Sequence, residues 1–125
     1  MLKGYQKAEA VSLILSRLYP EDYPALTEEM LEPLIQQCVD ADFDYMIAHD
    51  ILQPDGSDGD CYYNKRNAHC HIMSLLYQNN GFTEDDFDDL YCLVDDYMDY
   101  NRSYLELHGL SYHEDERIAI TGMDW

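Results

Sequence analysis

Cys61, His69, Cys70 and His71 lie close together and are of the types that bind zinc. Zinc sites pair ligands a few residues apart, then pair the pairs. His69 and His71 are two positions apart, so on a helix their side chains diverge by about 200°. One ion does not take both. The stretch PDGSDGD at 54–60 has the composition of a calcium loop. That chemistry needs acidic or amide ligands at loop positions 1, 3 and 5, glycine at 6 and glutamate at 12. With Gly59 at position 6, Pro54 falls at 1, Gly56 at 3 and Lys65 at 12; with Gly56 at 6, Ile51 falls at 1 and Gln53 at 3. Both registers fail, and a polar turn is expected.

His49-Asp50 is the kind of pair that ligates metals in helical phosphohydrolases, but no histidine precedes His49 to supply the first ligand. No Ser-His-Asp set, glycine-rich phosphate loop or GxSxG elbow occurs. The expectation is a protein that is not an enzyme, with no cofactor and no metal site.

What remains is carboxylate. The chain of 125 residues holds 26 Asp and Glu against 7 Lys and Arg, a net charge of −19. Residues 20–60 carry twelve acids and no base, and residues 82–116 carry twelve acids against Arg102. The pieces before and between are weakly basic. At −19 the chain repels nucleic acid and anionic membranes, so it is expected to bind neither directly. The densest stretch is GFTEDDFDDLYCLVDDYMDY at 81–100, with eight carboxylates and no basic residue.

The elements that hold these groups read as helices. Val11, Ile14, Leu15 and Leu18 make one helical face over 6–19, ended by Pro20. PEDYPALTEEMLEP reads as a connection, with Thr27 capping at most one turn. A second helix is expected from Pro33, its apolar stripe running from Leu34 through Cys38 and Phe43 to Ile47, with Asp40, Asp42 and Asp44 elsewhere around it. Asp60 is expected to cap a third, running to Asn79 and stopped by Gly81. Thr83 and Asp86 form a capping box for a fourth reaching His108, with Phe82 and Phe87 as a hydrophobic staple. Its core stripe is Phe87, Leu90, Tyr91, Val94, Tyr97, Met98 and Tyr104 or Leu105. RIAIT at 117–121 suggests a short strand or extended arm. The fold class is all-α, a small bundle of about four helices in a single domain over 1–125.

On the fourth helix Asp85, Asp88, Asp89, Asp95, Asp96 and Asp99 recur at spacings of three, four and seven and line one side. Neighbours three or four apart repel by a few tenths of a kcal/mol per pair, and only the first turn gains from the helix dipole. A local cost without local gain points to a binding surface. Twelve tyrosines add to it, since tyrosine suits interfaces. Tyr97, Tyr100 and Tyr104 join the six aspartates as expected partner contacts. Carboxylates three or four residues apart rise about 4.5 to 6 Å, similar to the roughly 3.4 Å between phosphates along one DNA strand.

In composition and in this stripe the chain resembles phage-encoded DNA mimics, the antirestriction proteins and some anti-CRISPR inhibitors. The resemblance implies a basic, nucleic-acid-binding nuclease or effector as partner, whose channel the protein would block. The alternative is an acidic helical adaptor or antitoxin-like protein that binds a basic partner without mimicry. The longest apolar run, 10–16, is too short to span a bilayer. Arg17, Tyr19 and Pro20 stand where a signal-peptide cleavage site would be. A cytoplasmic protein with reduced cysteines is expected, Cys38 and Cys92 among apolar neighbours. Carboxylate crowding is expected to raise several acid pKa values, so that stability rises as pH falls from 7 toward 5.

Overall fold

A computed structural model describes residues 2–111; the 117–121 segment lies outside them. The described residues form four α-helices: α1 (Lys7–Arg17), α2 (Glu28–Ala48), α3 (Lys65–Asn80) and α4 (Phe87–Leu107). Two short 3₁₀ turns, η1 (Pro20–Asp22) and η2 (Glu84–Asp86), precede α2 and α4. Each helix packs on its chain neighbour and α4 closes back on α1, so the helices ring one core. Outside the helices Leu52 and Asp58 form an isolated antiparallel bridge.

Helix α2 starts five residues before the expected Pro33. Thr27 is its N-cap and Glu28 and Glu29 sit at its positive end. Pro33 stays inside the helix at the cost of one backbone hydrogen bond. Leu31 on one side of it and Leu34 and Ile35 on the other are all buried, and that burial holds the helix through the proline. The cap of α3 is Asn64, not Asp60: its side-chain oxygen accepts from the Asn67 N–H at 3.0 Å. Gly81 ends α3 in the left-handed conformation, φ 67°.

The loop from 49 to 64 is held by its own hydrogen bonds. Asp55 accepts from the Ser57 N–H and hydroxyl at 3.0 and 2.6 Å. Ile51 and Leu52 plug the core beneath. Gly59 lies so close to the Asp50 carbonyl that a Cβ would stand 2.1 Å from that oxygen, and only glycine allows this approach. The loop then delivers Tyr63 to the core.

At the start of α4 the capping box forms, with the Thr83 N–H donating to Asp86 Oδ2 at 2.9 Å. The first turn is 3₁₀, so α4 proper begins at Phe87. Phe82 packs edge-on to Tyr77, and Phe87 turns to Tyr91. The core stripe of α4 is Leu90, Leu93, Val94, Tyr97, Met98, Asn101, Tyr104 and Leu105. Phe87 and Tyr91, expected on it, are 47% and 48% exposed. The stripe is centred on Leu90 and Val94; Tyr91 falls at its edge on a 100° wheel, and Phe87 is the first residue of the helix.

Candidate functional site

The six aspartates expected as partner contacts divide into three kinds of place. Asp85 and Asp88 are exposed. Asp95 and Asp99 flank the Lys65 ammonium of α3 at 3.8 and 3.6 Å, both side chains near half open. At such exposure and distance the pairing adds little stability. Asp89 and Asp96 point the other way, toward η1 and the segment after it. The Asp89 carboxylate accepts from the Ala25 N–H at 2.6 Å, and Asp96 accepts a short bond from the Tyr23 hydroxyl. Tyr23 is buried, and burial followed by the Asp96 bond pushes its hydroxyl pKa up. These two aspartates therefore pin the α1–α2 connection onto α4.

This division gives a test. Asp89→Asn with Asp96→Asn takes the charge from two charge-assisted hydrogen bonds and is expected to cost about 1 to 3 kcal/mol. Asp85→Asn with Asp88→Asn is expected to leave the thermal midpoint unchanged or raised. Equal midpoints for the two double variants would show that the pins carry no stability.

Two of the expected partner contacts are withdrawn. Tyr97 and Tyr104 are 0% and 1% exposed. Tyr97 donates to Asp42, and the Tyr104 hydroxyl accepts from the Gln6 N–H at 3.1 Å. Both lie on the α4 core stripe, and helical periodicity outweighs the general preference of tyrosine for interfaces. Tyr100 is half-buried, with the Arg17 guanidinium 6.0 Å from its ring centre. Tyr62 is 62% exposed, whereas Tyr63 beside it is buried.

The sequence reading missed the most unusual carboxylate. Asp42, expected off the apolar stripe of α2, is 2% exposed. It accepts from Tyr63 and Tyr97 hydroxyls, both at 2.8 Å. No ion pair of Asp42 exists among the described residues. Burial pushes its pKa up to about 6, against the lowering by the two tyrosines. The acid raised in this structure is thus raised by desolvation, whereas crowding was the expected cause. Around it, burial also pushes up the Cys38 thiol and the Tyr5 and Tyr97 hydroxyls, with the Asp42 charge as a second cause. Tyr5 in turn donates to the buried Asn101 at 2.6 Å.

Between the start of α3 and α4 lies a shallow cleft of about 120 Å³, lined by Lys65, Arg66, His69, Cys70, Tyr91 and Asp95. It is smaller than ordinary ligand pockets of roughly 300 Å³ or more. His69 packs on Tyr91 with ring centres 4.3 Å apart, while His71 faces Tyr45 on α2 at 5.8 Å. The two histidines serve opposite faces of α3, as their spacing requires. Among the described residues no group of three His, Cys, Asp or Glu side chains is placed to hold a metal ion. All four cysteines are unpaired; Cys38 is buried, and Cys92, expected among apolar neighbours, is exposed. No described helix is long and apolar enough to cross a membrane.

No family model, curated protein or solved structure matches the chain. Its own geometry is what bears on function.

Proposed function

We propose that this protein is an inhibitor that mimics nucleic acid and occupies the basic channel of a nucleic-acid-binding effector or nuclease, in the manner of antirestriction or anti-CRISPR proteins. The observation that carries the reading is the outer side of α4. Asp88, Asp95 and Asp99 stand along α4, at least partly open to solvent, and Asp85 extends the row from the η2 turn that leads into it. From Asp88 to Asp99 the rise is about 16 Å. A helix fixes such charges without further ordering on binding, which favours affinity. Asp89 and Asp96 add their charge to the field while serving the fold.

A second reading has its own support. Phe87 and Tyr91 expose apolar rings on the same helix, and a phosphate backbone has no counterpart to them. This favours an acidic adaptor or antitoxin-like protein that binds a basic partner without imitating nucleic acid.

Competition separates the two. The partner is identified by capture from lysate at low salt, and its complex is then challenged with DNA or RNA. Displacement by nucleic acid at the same site, and weakening as salt rises, is the outcome expected of a mimic. Binding that persists unchanged at about 0.5 M salt, where the Debye length is only a few Å, would overturn both readings. Salt-sensitive binding that nucleic acid leaves intact would select the adaptor.

A further inference from the structure

We infer that the Phe87–Tyr91 face of α4 is an arginine-selective docking platform for the basic partner. The inference rests on a basic partner, which both readings above share, and specifies the chemistry that partner must present.

The two rings are adjacent turns of one helix, their centres 5.9 Å apart with planes tilted by 40°. About half the surface of each residue is open. His69 backs the Tyr91 ring from α3 and its Nε2 lies 3.3 Å from the Tyr91 carbonyl oxygen, so the ring is held from behind. Burial keeps the His69 pKa low; the cations beside the Tyr91 ring are Lys65 and Arg66, at the rim of the same cleft. Asp88 lies between the rings in sequence, and Asp95 is one turn beyond Tyr91. The face thus alternates aromatic surface with carboxylate at helical spacing.

A guanidinium fits this alternation and an ammonium does not. Arginine is planar, stacks on rings, sheds water readily and meets a carboxylate with two parallel bonds. Lysine is a compact, strongly hydrated charge that gains from the carboxylates alone. The chain already shows both halves of the recognition. On the other flank of α4, Arg17 lies over Tyr100 at 6.0 Å. On this flank the Lys65 ammonium sits across Asp95 and Asp99. The platform is where the two features meet with their outer side uncovered.

The test uses the intact protein with octa-arginine and octa-lysine peptides, titrated by calorimetry at low salt. Wild type is expected to bind octa-arginine at least about fivefold more tightly, the sum of two exposed cation–π contacts. Phe87→Leu with Tyr91→Leu is expected to erase that preference while keeping the octa-lysine affinity. Phe87→Leu alone serves if the double variant loses its helical circular dichroism, and should remove about half of the preference. Asp88→Asn with Asp95→Asn should weaken both peptides together. Equal affinity of wild type for the two peptides overturns the platform and leaves the carboxylate reading standing. A preference that survives loss of both rings overturns it as well. Failure of both peptides to bind overturns the platform and the acidic-surface reading alike.

Discussion

Wild-type protein is expected to become more stable as the pH falls from 7.5 to 5, and the Asp42→Asn variant is expected to lose most of that gain. The folded protein holds the Asp42 proton more tightly than the unfolded chain, with a pKa raised to about 6 from the ordinary 3.8. A raised acid contributes stability on protonation, so the gain begins as pH falls through about 6 and is complete below the unfolded value. The whole gain is on the order of 3 kcal/mol, of which about half is reached by pH 5. The asparagine amide has the same shape and no charge to bury. One tyrosine hydroxyl donates to its oxygen and the other accepts from its nitrogen, so neither Tyr63 nor Tyr97 is orphaned.

Asp42→Ala behaves differently. It removes the acceptor of both buried hydroxyls, and each unsatisfied group costs about 1 to 3 kcal/mol. A loss of about 2 to 6 kcal/mol is expected for the alanine variant at any pH between 5 and 7.5. Thermal midpoints of the three proteins across that range check both expectations. A wild-type midpoint that falls on acidification, or an asparagine variant with the wild-type slope, would show that Asp42 is not the titrating group. The net charge of −19 acts in the same direction as Asp42 in the wild type, since protonation relieves repulsion. The comparison with asparagine removes that common background.

Replacing Asp85, Asp88, Asp95 and Asp99 together by asparagine is expected to weaken partner binding by at least tenfold, about 1.4 kcal/mol, at no cost to the fold. None of the four accepts a hydrogen bond from a buried donor, and the Lys65 contacts are long and exposed. Asparagine has a helix propensity close to that of aspartate, and relief of like-charge repulsion offsets the lost pairing. Affinity falling while stability holds or rises is the mark of a surface kept for function. The measurement is the dissociation constant for the captured partner beside a thermal midpoint. Full affinity in the quadruple variant would move the site away from α4, toward the acidic 20–60 block. Asp96 is left out of the set because it accepts the Tyr23 hydroxyl, and its loss would confuse stability with binding.

Much of the architecture was legible in the sequence because helices announce themselves locally. Apolar spacing marked α1, α3 and α4, Gly81 marked the end of α3 and the Thr83–Asp86 box the start of α4. The start of α2 was misplaced because proline was weighed as a first-turn residue. Its tolerance further in depends on burial of Leu31, Leu34 and Ile35 against other helices, which is a tertiary fact. The acidic side of α4 was likewise readable from spacing alone.

Which aspartates of that side bind within the molecule was not readable. Asp89 and Asp96 are chemically identical to Asp88 and Asp95, and only the path of the η1 segment sets them apart. Asp42 was missed for a related reason. A periodicity argument places a charged residue outward by default, because an isolated buried charge is costly. The exception needs donors from distant parts of the chain, and Tyr63 and Tyr97 arrive from a loop and from another helix. Phe87 and Tyr91 failed in the opposite sense. Their type predicted burial, but the ring of four helices leaves that edge of α4 uncovered. Charge, helix number and the faces of single helices were determined by residue type and spacing, which act locally. Which polar groups are satisfied within the fold and which are left for a partner was decided by tertiary packing, because hydrogen-bond partners far apart in sequence meet only there.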